Sequence, residues 1–357
     1  MRTGGVLFQE VARALEWMPN ITSVIYSPGP RHVPIERKIM KDILPRGIVW
    51  LLSLENETSD SHVDCYQRGI HHIIGAIYAS QYCGVREFHV EVPEPSIGTE
   101  FTIFVFDFPD PQHLEAGRFF FRQLHKLEMN FSLKRPGITN VHANNHPHAR
   151  VLTQLSNFSS FISEARELRE LSLHLMHWQC SAQNTYGHAI PPGHSIFPLL
   201  GLNMKWPRLR LLSLEGIYMA EDQLTRMLTR HEETLQKLEF KLCTLELGSW
   251  ADIVDHVLHN TSILAFTLRK VNETVVGDRD FEDLTTDEMQ YWQYEGTLKL
   301  DSEGMRYFVS SNKMVMNTVN INRTSPRVRP CTQDDVSQQR RIDFLIRHSE
   351  FKPSRLV

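Results

Sequence analysis

The sequence predicts an α/β chain built as an array of parallel strands alternating with helices. Three observations carry this. One apolar spacing recurs seven times before residue 272. Helical periodicity fills the segments between its copies. The chain has 357 residues, more than the roughly 250–300 at which a single hydrophobic core stops growing.

The spacing is apolar-x-x-apolar-x-apolar. It stands at Ile21, Val24 and Tyr26; at Val85, Phe88 and Val90; at Leu124, Leu127 and Met129; and at Leu168, Leu171 and Leu173. It returns at Leu209, Leu212 and Leu214; at Leu235, Leu238 and Phe240; and at Ile263, Phe266 and Leu268. Residues two apart on a strand point to one side and those between them to the other, so each copy reads as a strand with one apolar face. The copy at Leu235 extends through Leu245 as L-x-x-L-x-F-x-x-C-x-L. Its Cys243 stands where a leucine-rich repeat prefers Asn or Cys, a slot from which a polar or thiol side chain satisfies turn backbone groups. Met176 and Ile217 fill that slot in two other copies and cannot do so, which predicts irregular turns there. Leu209 to Leu235 is 26 residues and Leu235 to Ile263 is 28, within the roughly 20–29 of such repeats. Earlier steps are longer, 39, 44 and 41 residues from Val85, Leu124 and Leu168. The reading is an irregular leucine-rich-repeat solenoid, strands on the concave face and helices on the convex one, because one such unit buries too little surface alone.

Between the strands, apolar residues recur at helical spacing: Phe8 to Met18, Ile70 to Tyr78, Val151 to Ile162, Leu224 to Leu228 and Trp250 to Leu258. Ser249 is a good N-cap for the last, with Asp252 placed as a capping-box acid. Helix following strand following helix requires parallel pairing. The excess length falls in turn-rich loops: Pro93 to Pro111, interrupted by a strand-like Phe101 to Phe108, then Lys134 to Pro147 and Met176 to Pro207. Ile48 to Leu54 offers the strand of a degenerate unit. The array is expected over residues 1–271. Residues 272–357 read as a C-terminal extension with a hairpin around Ser302-Glu303-Gly304, a basic linker at Arg323, Arg327 and Arg329, and a capping helix over Asp334 to His348.

Apolar residues are 41% of the chain and charged ones 22%, with net charge −4. A core is amply supplied, and no basic stripe points to nucleic acid. No apolar run approaches the roughly 20 residues of a membrane span. The N-terminus reads as an amphipathic helix and not a signal peptide. Cys65, Cys83, Cys180, Cys243 and Cys331 are odd in number, widely spaced and form no CxxC pair. Reduced thiols in a cytoplasmic or nuclear protein, away from membranes, are the expectation.

Catalytic motifs are missing. There is no G-x-S-x-G elbow, H-E-x-x-H or P-loop, and no phosphate-binding glycine loop of a doubly wound enzyme domain, which is the competing α/β architecture. His142, His146 and His148 crowd one segment, yet it is Pro-interrupted and has no Cys or carboxylate ligand beside it, so no metal or other cofactor is expected. Asp107 and Asp110 read as turn residues.

The candidate site is the strand face opposite the helices. The residues between the apolar positions lay it out: His89, Glu91, Glu128, Asn130, Ser172, His174, Ser213, Glu215, Glu239, Lys241, Thr267 and Arg269. Neighbouring strands lie about 4.8 Å apart, so these form a ladder. Its mixed charge suits a protein partner better than a nucleic acid.

Trp206-Pro207-Arg208-Leu209-Arg210-Leu211-Leu212-Ser213-Leu214-Glu215-Gly216, the helix ending at His231, Leu238-x-Phe240-x-x-Cys243-x-Leu245 and Gly248-Ser249-Trp250 resemble the repeat region of fungal F-box proteins with leucine-rich repeats. So do Ala14 to Ser27 and Ala116-Gly117-Arg118-Phe119, and the likeness spans roughly Leu7 to Val271. The resemblance implies non-catalytic recognition of a protein for ubiquitylation. The F-box that docks family members on the adaptor of an SCF ubiquitin ligase has no counterpart here. Sequence upstream of Met1 or loss of the module are the two explanations, and a free-standing interaction protein without a ubiquitin role is the alternative reading.

Overall fold

The computed structural model describes residues 3–26, 69–90, 103–106, 108, 111–132, 147–176, 195–274, 288–300, 306–310 and 315–320. The chain divides into two compact units, Met1–Arg166 and Glu167–Val357. The fold is mixed α/β with parallel strand pairing, and its sheet is not closed.

Among the described residues the first unit alternates helix and strand: α1 (Thr3–Trp17), β1 (Ser23–Tyr26), α2 (Gly69–Ala79), β2 (Glu87–Val90), α3 (Pro111–Arg122), β3 (Lys126–Ser132) and α4 (Pro147–Glu164). β1, β2 and β3 pair in parallel, with Val24 opposite Phe88 and Phe88 opposite Leu127. The middle apolar residue of each copy thus lies in register with the next. Each helix packs against its successor, α1 on α2, α2 on α3 and α3 on α4. Their apolar stripes, among them Ile70, Ile74 and Ile77 of α2 and Leu155, Phe158 and Ile162 of α4, are buried. Phe120 of α3 meets Phe88 of β2 edge to face at 5.3 Å, so the helices cover the apolar side of the strands. Gly117 lets α3 and α4 approach, since a β-carbon there would stand 2.8 Å from the Phe161 ring.

Residues 103–106 form a 3₁₀ turn and not the strand suggested by the apolar run from Phe101 to Phe108. The run lacks the alternation of a half-exposed strand. Ile103, Val105 and Phe106 are all buried, with Phe106 4.9 Å from Phe158. Side chains serve its carbonyls: His71 Nε2 hydrogen-bonds Val105 O, and Asn157 Nδ2 donates to Phe106 O at 2.9 Å.

The second unit comprises β4 (Glu170–Met176), β5 (Leu211–Glu215), β6 (Tyr218–Ala220), α5 (Glu221–Arg230), β7 (Lys237–Lys241), β8 (Thr244–Leu247), α6 (Trp250–Asn260), β9 (Ala265–Thr274), β10 (Glu288–Leu300), β11 (Arg306–Ser310) and β12 (Val315–Asn320). β4, β5, β7 and β9 are parallel neighbours. Leu171, Leu212, Leu238 and Phe266 stand opposite one another in turn. Helices α5 and α6 pack together, and Trp250 of α6 lies 5.3 Å from Phe240 of β7.

One backbone move occurs at three equivalent places. Gly216 (φ 70°), Leu242 (φ 53°) and Lys270 (φ 51°) each follow the aligned residues Glu215, Lys241 and Arg269. The chain then pairs again, Tyr218 opposite Thr244 and Thr244 opposite Asn272. The turn into Ile217 thus matches the one into Cys243, and an irregularity follows two residues on, where the β6–β8 register shifts between Met219 and Ala220. Gly216 supplies the left-handed residue without steric cost, and Ile217 turns into the core. At Cys243 the thiol does what its slot suggests, reaching Leu214 O at 3.3 Å and Lys241 O at 3.5 Å.

Beyond Val271 the strand continues to Thr274. β10 pairs antiparallel with β9, and β11 and β12 with β10. Residues on either side of Ser302-Glu303-Gly304 face each other, Gly296 opposite Ser310 and Leu300 opposite Arg306. Phe308 packs 5.7 Å from Phe266. The strand suggested at Ile48 to Leu54, the basic linker and the C-terminal helix lie outside the described residues.

Candidate functional site

In the second unit the strand register arranges eight of the expected residues as two transverse rows. Ser172, Ser213, Glu239 and Thr267 form one; His174, Glu215, Lys241 and Arg269 form the other. Leu212, Leu214, Leu238 and Phe240 alternate with them and are buried, so the rows occupy the side away from α6.

Glu215 is the hub of the second row. Its Oε2 lies 2.9 Å from His174 Nδ1 and its Oε1 2.8 Å from Lys241 Nζ. Burial pushes this carboxyl upward, but the hydrogen bonds and charges of His174 and Lys241 together outweigh it and hold the group below the ordinary carboxylate range. Arg269 Nε reaches diagonally to Glu239 Oε1 at 3.3 Å. In the first unit, His89 Nδ1 and Glu128 Oε2 repeat the His–Glu pairing at 2.9 Å, directly across the β2–β3 pair.

Two expected residues stand apart. Asn130 shares the strand face by alternation but is buried, and its Nδ2 donates to Val90 O at 2.9 Å. Its polarity is used on the backbone of the neighbouring strand and does not reach the surface. Glu91 lies outside the described residues, as do the side chains of His142, His146 and His148. Among the described residues no group of three His, Cys, Asp or Glu side chains is placed to hold a metal ion. Among them, too, no helix is long and apolar enough to cross a membrane.

A histidine whose Nδ1 is held by a carboxylate has its Nε2 set as an acceptor, the arrangement of an oriented base. His174 has that geometry, yet among the described residues no hydroxyl or thiol hydrogen-bonds its Nε2. The charged row is suited to recognition: opposite charges side by side on a rigid support, with both signs still partly exposed.

Sequence reasoning passed over a second feature of this unit. A polar groove of about 370 Å³ is lined by Arg169, Pro207, Arg208, Arg210, Glu233, Thr234 and Gln236. Arg169, Arg210 and Gln236 each occupy the second position of the recurring motif, directly after Leu168, Leu209 and Leu235. The signal was present in that column, but only the positions between the later apolar residues were read.

No protein-family model matches the chain, and no curated protein matches it.

Proposed function

We propose that this chain is a non-catalytic protein-recognition scaffold of leucine-rich-repeat type, and that the His174–Glu215–Lys241–Arg269 row with its neighbours Ser213 and Glu239 contacts the partner. The observation that carries the reading is the register: four aligned parallel strands hold one carboxylate, one histidine and two cations in one line on the side opposite the packed helix. Repetition of the left-handed residue at 216, 242 and 270, spaced 26 and 28 residues like the motif copies, supports the repeat assignment. Rows of this kind give orientation and selectivity more than affinity, since exposed ion pairs are each worth about 0–1 kcal/mol. The partner is accordingly a protein with a complementary mixed-charge surface. Substrate selection for ubiquitylation is the specific form that the resemblance implies.

The test is affinity purification from the native locus, with the C-terminus tagged, of the parent chain beside the double charge reversal Glu239→Lys/Lys241→Glu and the control Arg226→Glu on α5. A stoichiometric partner retained by the parent and the control but lost by the double reversal is expected. Co-purifying ligase subunits, or peptides encoded upstream of Met1, support the ubiquitin form. A partner without them supports a free-standing scaffold. Partners indifferent to the reversal overturn the assignment of this face.

A further inference from the structure

We infer that the groove at the leading edge of β4, β5 and β7 is an anion site for a phosphate monoester. Arg169 and Arg210 immediately precede β4 and β5, and the backbone ties them together: Arg210 N and Leu211 N both donate to Arg169 O, at 2.8 and 3.0 Å. Gln236 N and Lys237 N donate in the same way to Arg210 O, both at 2.8 Å. The three side chains therefore leave adjacent strands from fixed origins, about 4.8 Å apart between strands. Arg208, on the same wall, is committed to Glu167. Arg169 and Arg210 make no side-chain hydrogen bond or ion pair to any described residue, and both are exposed. Two uncommitted guanidinium groups on one groove match the charge of a phosphate monoester, about −1.5 to −2 at neutral pH, better than that of a single carboxylate. The planar fork of arginine also suits two phosphate oxygens at once. Thr234 and Gln236 add neutral hydrogen-bonding groups, and Glu233 sets one negative charge on the rim. At about 370 Å³ the groove falls within the roughly 300–1,000 Å³ of small-ligand sites, room for the phosphoryl group and part of what carries it.

The inference is independent of the charged row, which lies at the other ends of the strands. Its test is calorimetric titration of the full chain with inorganic phosphate, phenyl phosphate, and a neutral pentapeptide bearing one phosphoserine or, in its place, glutamate. Saturable binding of the phosphate probes is expected, weakened by added salt. Arg169→Gln and Arg210→Gln should each weaken it about tenfold or more, as loss of a charge-assisted hydrogen bond does, while Arg226→Gln on α5 leaves it unchanged. Glu233→Gln should strengthen it severalfold, a gain that misfolding cannot imitate. Phenyl phosphate binding as tightly as the phosphopeptide assigns the site to small phosphorylated molecules; tighter phosphopeptide binding assigns it to a modified protein. Absence of saturable phosphate binding, equal binding by Arg169→Gln/Arg210→Gln, or equal binding of the glutamate peptide would overturn the proposal.

Discussion

His231 Nε2 accepts the backbone N–H of Trp206 at 2.9 Å, while its Nδ1–H donates to Met227 O at 2.8 Å. The ring is buried and stacks on Trp206 at 5.8 Å. One histidine thereby ends α5 and anchors the loop that leads into β5.

That geometry needs a neutral imidazole. Burial, then the nearby charges of Lys205 and Arg230, lowers its pKa from 6.5, against the Met227 bond that raises it. The folded state therefore binds fewer protons than the unfolded state between the two pKa values. The stabilisation is complete above pH 6.5 and is lost as pH falls through the folded pKa. Urea midpoints at pH 7.5 and 5.5 should show the parent weaker at the lower pH. His231→Phe should cost about 1–3 kcal/mol at pH 7.5 by stranding the Trp206 amide, and should lose that part of the pH dependence. An unchanged pH dependence in the variant would remove His231 as its source.

Glu221, first residue of α5, accepts the Ser249 N–H at 2.8 Å and so serves the start of α6. Glu273 of β9 takes the Trp250 N–H at 3.1 Å, and Ser249 Oγ takes that of Ala251, also at 3.1 Å. Burial raises the Glu221 pKa above 4.5, and the charges of Asp252, Glu273 and Asp222 add to it, against the Ser249 bond. The ionised form is disfavoured by folding, so this group's contribution is greatest at low pH and is lost as pH rises through its folded pKa. Glu221→Gln keeps an acceptor and removes the repulsion, and thermal melting at pH 7 should show it no less stable than the parent. Glu221→Ala and Ser249→Ala should each lose about 1 kcal/mol. A Gln variant as damaged as the Ala variant would count against this account.

The apolar skeleton was legible because it is periodic. Each of Phe88, Leu127, Leu171, Leu212, Leu238 and Phe266 was read as the middle of a motif copy, and each is buried on a strand. The N-cap at Ser249 was legible from local sequence. Its acid was not. Asp252 has the right spacing but is exposed, and Glu221 and Glu273 reach Ser249 and Trp250 from 28 and 23 residues away. Asn130 failed for a related reason: alternation fixes which face a side chain leaves from, not whether a neighbouring carbonyl draws it inward. The ion pairs around Glu215 needed the strand register, which spacing alone suggests only when loop lengths are equal.

Cys243 is fully enclosed, and burial pushes its thiol up to about 12, against bonds to the Ile217, Lys241 and Gly216 backbone. Cys83 is exposed. In single-cysteine versions of the chain, disulfide exchange with an aromatic probe at pH 8 should label Cys83 at once and Cys243 only at the rate of unfolding. Rapid labelling of Cys243 in folded protein would contradict its enclosure. Cys243→Ala should lower stability by about 1–3 kcal/mol through the cavity and the stranded carbonyls.

Gly216 and Lys270 share a left-handed backbone but should respond oppositely to substitution. A β-carbon at Gly216 would lie 2.4 Å from Leu175 O, so Gly216→Ala must move the strand beside it. A loss above about 1 kcal/mol is expected from the φ of +70° alone. Lys270 is exposed and carries its strain already. Lys270→Gly should therefore be neutral or stabilise by up to about 1 kcal/mol, the relief offsetting the greater entropy of the unfolded glycine. Chemical denaturation of the two variants decides it; destabilisation by both would mean that Lys270 is held by contacts other than its turn.

The Glu215 hub ties the recognition face to stability. Its depressed pKa means that the folded state holds the carboxylate in preference, so its contribution is present above pH 4.5 and lost as pH falls through the folded pKa. The side chain is about one-fifth exposed, Lys241 nearly half, so solvent screens the pair and a double-mutant cycle of Glu215→Gln with Lys241→Met should return at most about 1 kcal/mol. That coupling should shrink in 1 M salt and be lost as pH falls through the folded pKa of Glu215. The cycle of Glu215→Gln with His174→Gln isolates the Nδ1–Oε2 contact at 2.9 Å, and it should return about 0.5–1.5 kcal/mol in urea denaturation at pH 7. A His174 cycle that returns no coupling would show that this contact adds nothing to stability and that Glu215 is held by Lys241 alone.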